Sequence, residues 1–283
     1  MRLAIQRCIA GLGALYWPLK NNNVTLKANK LVMQTPVYLI NLDSSVDRYE
    51  KSKARLTQAG VTFNRFSAVH GASLAPQELN GHYSENLNRQ QYHKALTKGE
   101  IGCYMSHRKV WQLIASGSSP YGVVLEDDIE IVGNLPGALK TIDALKFDWD
   151  IIKLSGYKNA QRKVVFAHSL SDAFKLVIHA KPMTGCAAYA LKKQAAQQLI
   201  AATEKFGRPV DTDIQHFWEK GISVFSLMPY PVRQDLSYDS DIKSMQGRQK
   251  SHKLRRIKQQ LVTFFKNKSA IEQQIRKFKS AIK

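Results

Sequence analysis

Y-G-V-V-L-E-D-D-I-E-I, residues 121–131, carries an apolar run into three consecutive carboxylates, Glu126, Asp127 and Asp128. A continuous apolar run bounded by turn residues is the pattern of a strand buried on both faces, as in a parallel sheet. In an open α/β sheet the ligand crevice lies at the carboxyl ends of the strands. Clustered hard oxygens at such an end suit Mg²⁺ or Mn²⁺. The same residues also suit a strand that runs into a solvated acidic turn, so the flanking chain has to decide between the two.

Upstream, P-V-Y-L-I-N-L at 36–42 reads as a second buried strand, followed by a polar turn at 43–45 and a helical segment that stops at Gly60. Ser44 and Asp47 have a spacing that resembles a capping box. Residues 61–66 read as a short strand, which completes the order that opens an α/β nucleotide-binding unit. Neither G-x-G-x-x-G nor G-x-x-x-x-G-K-[ST] occurs, so dinucleotide and P-loop readings lose their main support. Residues 71–97 are polar and aperiodic, either a binding loop or a surface insertion. Residues 99–117 form the strongest helix, with Ile101, Tyr104, Met105, Trp111 and Ile114 at near-helical intervals and Glu100 near its N-terminal end. Downstream the pattern predicts a helix over 135–145 and strands over 149–154, 164–167, 174–179, 184–191 and 221–227. Helices are expected over 192–206 and 210–218, and Pro229 and Pro231 close the globular pattern.

The 283 residues are enough for one sizeable core. Three scattered cysteines, Cys8, Cys103 and Cys186, with no C-x-x-C pair, argue against a disulfide framework and fit reduced thiols. The formal net charge is +20, but residues 243–283 hold 13 Lys/Arg against one acid, Glu272, so most of it belongs to the tail. There Leu254, Ile257, Leu261, Phe264 or Phe265, Ile271, Ile275, Phe278 and Ile282 recur at spacings of three and four among Lys, Arg and Gln. Such a basic amphipathic helix suits an anionic membrane surface, each Lys or Arg near it contributing roughly 1 kcal/mol, or else packs its stripe back on the domain. With little aromatic interleaving and no recognisable motif, nucleic acid is disfavoured. The expected organisation is a leader at 1–34, a domain at 35–242 and the tail at 243–283. The leader's apolar patch is too short to span a bilayer. A start at Met33, just before the first strand, would leave the leader outside the working protein.

Three longer stretches occur in one order: V-Y-L-I-N-L-D-S-S-V-D-R-Y-E at 37–50, G-E-I-G-C-Y-M-S-H-R-K-V-W at 99–111 and V-V-L-E-D-D-I at 123–129. With D-W-D-I-I-K-L at 148–154, G-C-A-A-Y at 185–189 and P-V-D-T-D at 209–213, they resemble glycosyltransferase family 25, the lipooligosaccharide galactosyltransferase family, over about residues 36–235. The resemblance implies a GT-A-like α/β domain with a mixed sheet. It implies a UDP-sugar donor, usually UDP-galactose, and inverting transfer of a hexose to a saccharide acceptor in lipopolysaccharide or related cell-surface glycan synthesis. It also implies Mn²⁺ or Mg²⁺ against the donor diphosphate, held by E-D-D in place of D-x-D. Asp128 and then Glu126 are the expected ligands, because alternate residues of an extended strand end share a side. Such a cation neutralises charge on the leaving nucleoside diphosphate.

On the same resemblance Asn41 and Asp43 are placed for base or ribose, and Arg48 for a phosphate. A general base must take the acceptor proton; Asp211 is the first candidate, with Asp213 and His107 open. The tail would then seat the protein on the inner face of the cytoplasmic membrane, where a lipid-linked acceptor is presented. The competing class is a non-catalytic basic protein that binds nucleic acid or acidic polysaccharide through residues 243–283. That class predicts no UDP-sugar binding by residues 1–242.

Overall fold

β1 (Val37–Asn41) is apolar on both faces and leads into α1 (Val46–Gln58), after which Gly60 takes φ +70 to end the helix. The computed structural model describes residues 35–157, 162–237 and 251–282, so the expected leader at 1–34 lies outside them. Ser45, not Ser44, occupies the N-cap of α1 and makes no side-chain cap bond; with the helix starting one residue later, the expected pairing with Asp47 is out of register. β2 (Asn64–Ser67) follows. Residues 71–97 are not a plain loop: they hold a 3₁₀ turn at Gly71–Ser73 and two helices, α2 (Pro76–His82) and α3 (Glu85–Gln91). Seven residues are too few to show a period, but Ser84 starts α3 by accepting a hydrogen bond from Leu87 N. α4 (Lys98–Ser116) opens with a full capping box between Thr97 and Glu100.

The 121–131 stretch is two strands. β3 (Tyr121–Glu126) stops at the first carboxylate, Asp127 and Asp128 form a bend, and β4 (Ile129–Ile131) belongs to a separate two-stranded sheet. α5 (Leu135–Asp143), β5 (Ile151–Lys153), β6 (Val164–Ser169), β7 (Lys175–His179), β8 (Ala188–Lys192), α6 (Lys193–Ala202) and α7 (Val210–Gln215) come next. A 3₁₀ turn at Phe217–Lys220 and β9 (Val224–Met228) follow. The ordered pattern continues past Pro231, because β10 (Val232–Gln234) pairs antiparallel with β4. α8 (Lys253–Ala281) is the tail.

The eight-stranded sheet runs β2-β1-β3-β8-β5-β9-β7-β6 and is mixed. β2, β1 and β3 are parallel, with Ile40 opposite Glu126 and Asn41 opposite Ser67, so their carboxyl ends lie side by side. β8 runs antiparallel to β3, which brings Gly185 and Cys186 to the same end of the sheet. This is an α/β architecture with a mixed sheet, and the edge where the three carboxylates lie is built from its first three strands. Under that edge α4 buries Tyr104 and Trp111, and the Trp111 Nε1 donates to the Tyr189 hydroxyl at 2.7 Å. A buried aromatic with a polar handle of this kind needs such a partner.

α8 divides into two halves. In the second, Ile271 and Phe278 are buried, and the Phe278 ring lies 4.8 Å from Phe147 and 5.3 Å from Phe225. Gln274 donates to Val224 O at 3.0 Å and accepts from Val224 N at 3.4 Å. In the first half the apolar stripe faces outward: Leu254 is 85% exposed and Phe265 67%. Of the two placements open to the stripe, the second half packs back and the first does not. Among the described residues no helix is long and apolar enough to cross a membrane.

Candidate functional site

At the carboxyl ends of β1 and β3 a pocket of about 140 Å³ is lined by Asn41, Arg48, His70, Cys103, Ser106, His107 and all three carboxylates of 126–128. The wall formed by residues 69–71 is docked on α4 by Gly102. A Cβ there would lie 2.6 Å from Val69 O and 2.7 Å from Gly71 N, so only glycine admits the approach. Ser106 completes the joint, its Oγ accepting from Val69 N and donating to Gly102 O, both at 2.8 Å.

The two aspartates are held differently. Asp127 turns toward α1: its Oδ1 is 2.7 Å from an Arg48 guanidinium nitrogen, and its Oδ2 accepts from Asn41 Nδ2 at 2.7 Å. Ser52 Oγ donates to the Asp127 carbonyl at 2.7 Å, fastening the bend to the helix. Asp128 Oδ2 accepts from Gln234 Nε2 of β10 at 2.7 Å and lies 3.6 Å from Arg48. Its Oδ1 is buried without a hydrogen-bond partner among the described residues. Burial, reinforced by the neighbouring Glu126 charge, pushes the Asp128 carboxyl up to about 7 against the pull of Gln234 and Arg48.

Glu126 Oε1 meets His107 Nε2 at 3.0 Å, and His107 Nδ1 meets the Tyr189 hydroxyl at 2.9 Å. Both ring nitrogens of His107 are therefore engaged, Nε2 by Glu126 and Nδ1 by the hydroxyl that also accepts from Trp111 Nε1. His107 is 1% exposed and holds Glu126 in place through this contact at the pocket wall. Cys103 Sγ, a His107 nitrogen and a Glu126 oxygen also lie within 4.8 Å of one another. Burial holds the Cys103 thiol well above its ordinary value, with Glu126 adding to the effect. A soft thiolate suits Zn²⁺ or Cu⁺ better than Mg²⁺ or Mn²⁺. The orphaned Asp128 oxygen beside Glu126 is the better fit to a divalent cation, because a hard oxygen pair suits Mg²⁺ or Mn²⁺.

Of the other expected residues, Asn41 is buried and its Oδ1 accepts from Arg65 at 2.7 and 3.0 Å. Asp43 sits at the rim, its side chain 70% exposed, accepting from Arg65 and Ser67. Asp213 is buried, 3.0 Å from both Arg208 Nε and Lys220 Nζ, and accepts from the Tyr104 hydroxyl. Burial alone would raise its carboxyl, but Lys220 and Arg208 outweigh that and hold it below the ordinary range. So engaged, Asp213 joins α4 to α7. Asp211 is half-buried and accepts from Thr212 N at 2.6 Å and Gly185 N at 3.4 Å, where Gly185 takes φ +79. Neither Asp211 nor Asp213 lines the acidic pocket.

The pocket thus gathers Asn41, Arg48, His107, Glu126 and Asp128. Sequence reasoning missed Arg65, Cys103 and Gln234. Arg65 had one signal, since a buried Asn41 needs a donor for its carbonyl; Gln234, beyond two prolines, had none.

The profile of Glycosyltransferase family 25 (LPS biosynthesis protein) matches residues 34–214. Procollagen galactosyltransferase 1-B of Xenopus laevis is 33% identical over 132 residues, 44% of this chain and 21% of that protein. Inactive glycosyltransferase 25 family member 3 of Homo sapiens is 26% identical over 214 residues, 68% of this chain and 35% of that protein. The chain therefore spans well under half the length of these curated relatives. A solved structure of a Drosophila galactosyltransferase 7 mutant with manganese, UDP-Gal and xylobiose aligns over 75% of this chain and 79% of that one, at 9% identity and a TM-score of 0.35.

Proposed function

The chain belongs to glycosyltransferase family 25, and from that premise we propose that it transfers a hexose, galactose, from a UDP-sugar to a saccharide acceptor with inversion at the anomeric carbon. The acceptor belongs to lipopolysaccharide, lipooligosaccharide or a related cell-surface glycan. The observation that carries this reading is the buried, unpartnered Asp128 oxygen at the carboxyl end of the parallel strands. Glu126 and Asp128 would hold Mn²⁺ or Mg²⁺, which when bound supplies Lewis-acid neutralisation of the donor diphosphate. Arg48 lines the pocket and adds positive charge on the phosphate side. Asn41, braced by Arg65 and Asp127, forms the floor beneath the base or ribose, and Asp43 stands at its rim. Asp211, not locked in an ion pair as Asp213 is, serves as the general base.

The outward apolar and basic face of the first half of α8 would rest on an anionic membrane, on the inner face of the cytoplasmic membrane, where a lipid-linked acceptor is presented. The test is transfer from UDP-galactose in the presence of Mn²⁺. Asp128→Ala should lower kcat/KM by at least about 100-fold, the usual scale for losing one electrostatic stabiliser. A folded Asp128→Ala variant with the parental rate would refute the role.

A further inference from the structure

A second and larger hollow, about 880 Å³, lies between the first half of α8 and the body of the domain. The helix turns a mixed side to it, with Phe264, Ile271 and Ile275 between polar residues. Gln259 Nε2 reaches Gln90 O at 3.2 Å, Thr263 Oγ1 meets His216 Nε2 at 3.1 Å, and Asn267 Nδ2 donates to Ala180 O at 3.2 Å. These contacts moor the helix while leaving an open groove between them. Asn267 is 3% exposed, lines the groove, and its Oδ1 has no hydrogen-bond partner among the described residues. A buried acceptor left this way is open to a further donor such as a ligand hydroxyl or water.

The rest of the lining has the chemistry of a sugar site. Tyr92 and His93 present adjoining rings, centroids 4.4 Å apart. Burial, with Arg208 nearby, lowers His216 to about 4, so at neutral pH it is an uncharged hydrogen-bonding group. The charged groups facing the groove are Lys181, Arg256 and Lys268 against a single acid, Glu272. Its inner end adjoins Asp211, the base proposed above: Thr212 of the groove follows Asp211, and Thr184 precedes Gly185, whose N–H points to Asp211 at 3.4 Å.

We propose that this groove is the acceptor subsite and that it takes an acidic saccharide, a glycan chain bearing carboxylate or phosphate groups. The inference rests on the transferase reading and deepens it. α8, the outer wall of the subsite, lies outside the family-matched residues 34–214.

The experiment is calorimetric titration of the full chain, without donor, using tetragalacturonic acid and its carboxyl-reduced neutral counterpart, with UDP-galactose titrated in parallel. The acid should bind at least about ten-fold more tightly than the neutral form, as expected for charge-assisted contacts. Arg256→Gln with Lys268→Gln should remove that preference and leave UDP-galactose affinity unchanged. Lys277→Gln with Lys279→Gln, the same charge lost elsewhere on α8, should leave it intact. Equal binding of the two glycans, or equal losses from both double variants, overturns the proposal. Acid-selective binding through the groove without any UDP-galactose binding would refute the transferase reading while the saccharide groove stands.

Discussion

Asp127 and Asp128 share a bend but not a task. Asp127 is neutralised by Arg48 and tied to Asn41, so it builds the pocket floor, whereas Asp128 keeps one buried oxygen without a partner. The consequence is a pH signature. Burial and Glu126 raise the native Asp128 carboxyl to about 7 from an ordinary 3.8. Between those values the native state holds a proton that the unfolded chain has lost, so stability falls as pH rises through that window. Asp128→Asn should therefore gain on the parent by roughly 2–3 kcal/mol between pH 5 and pH 8 in metal-free buffer, read as a widening Tm difference. Mn²⁺ at pH 8 should close the gap by stabilising only the parent. A Tm difference that does not change with pH would show that Asp128 carries no such strain. The sequence announced this acid cluster, and Glu126 and Asp128 do line one pocket, but they reach it through a bend at 127–128 and not along an extended strand end. Sorting Asp127 from Asp128 required knowing that Arg48 and Gln234 approach from different elements.

α4 was the most legible element, since its nineteen residues repeat an apolar face and its G-E-I-G-C-Y-M-S-H segment places Gly102, Ser106 and His107 where loop, carbonyl and glutamate need them. α2, α3 and β10 were not legible, being too short to show a period and held by contacts from far along the chain. α8 lies between these cases: its stripe was plain, but only packing decides which half is covered. Phe278→Ala removes the anchor among Phe147, Phe166 and Phe225, a loss of about 3–5 kcal/mol for a buried aromatic. Amide hydrogen exchange should then speed up in residues 267–281 ahead of the central sheet; unchanged protection would mean that α8 is held elsewhere. Leu254→Ser with Phe265→Ser, both exposed, should cut sedimentation with phosphatidylserine vesicles without changing Tm. Binding to those vesicles at the parental level would exclude this face as a membrane contact.

Across the whole molecule, charge and cavity are separated by function. The basic excess of residues 243–283 is carried largely on a helix whose second half belongs to the domain core and whose first half walls the larger groove. That arrangement disfavours a detached basic arm as the sole working part, because part of the tail is built into the fold. The α/β opening of the fold was readable from alternating strand and helix patterns and the mixed sheet from the family resemblance, while the meeting of Asp211 with the groove depends on α7 and α8 converging from distant sequence. The central claim is that the strand-end pocket binds a nucleotide sugar with a divalent cation, and its most direct measurement is a thermal-shift comparison of UDP-, GDP- and CMP-sugars with and without Mn²⁺. UDP-galactose at about 100 times Kd should stabilise the chain by about 2.7 kcal/mol, a Tm rise of several degrees. The rise should require Mn²⁺ and vanish in Asp128→Ala. An identical Tm with every nucleotide sugar, or a rise that survives intact in Asp128→Ala, would contradict the account.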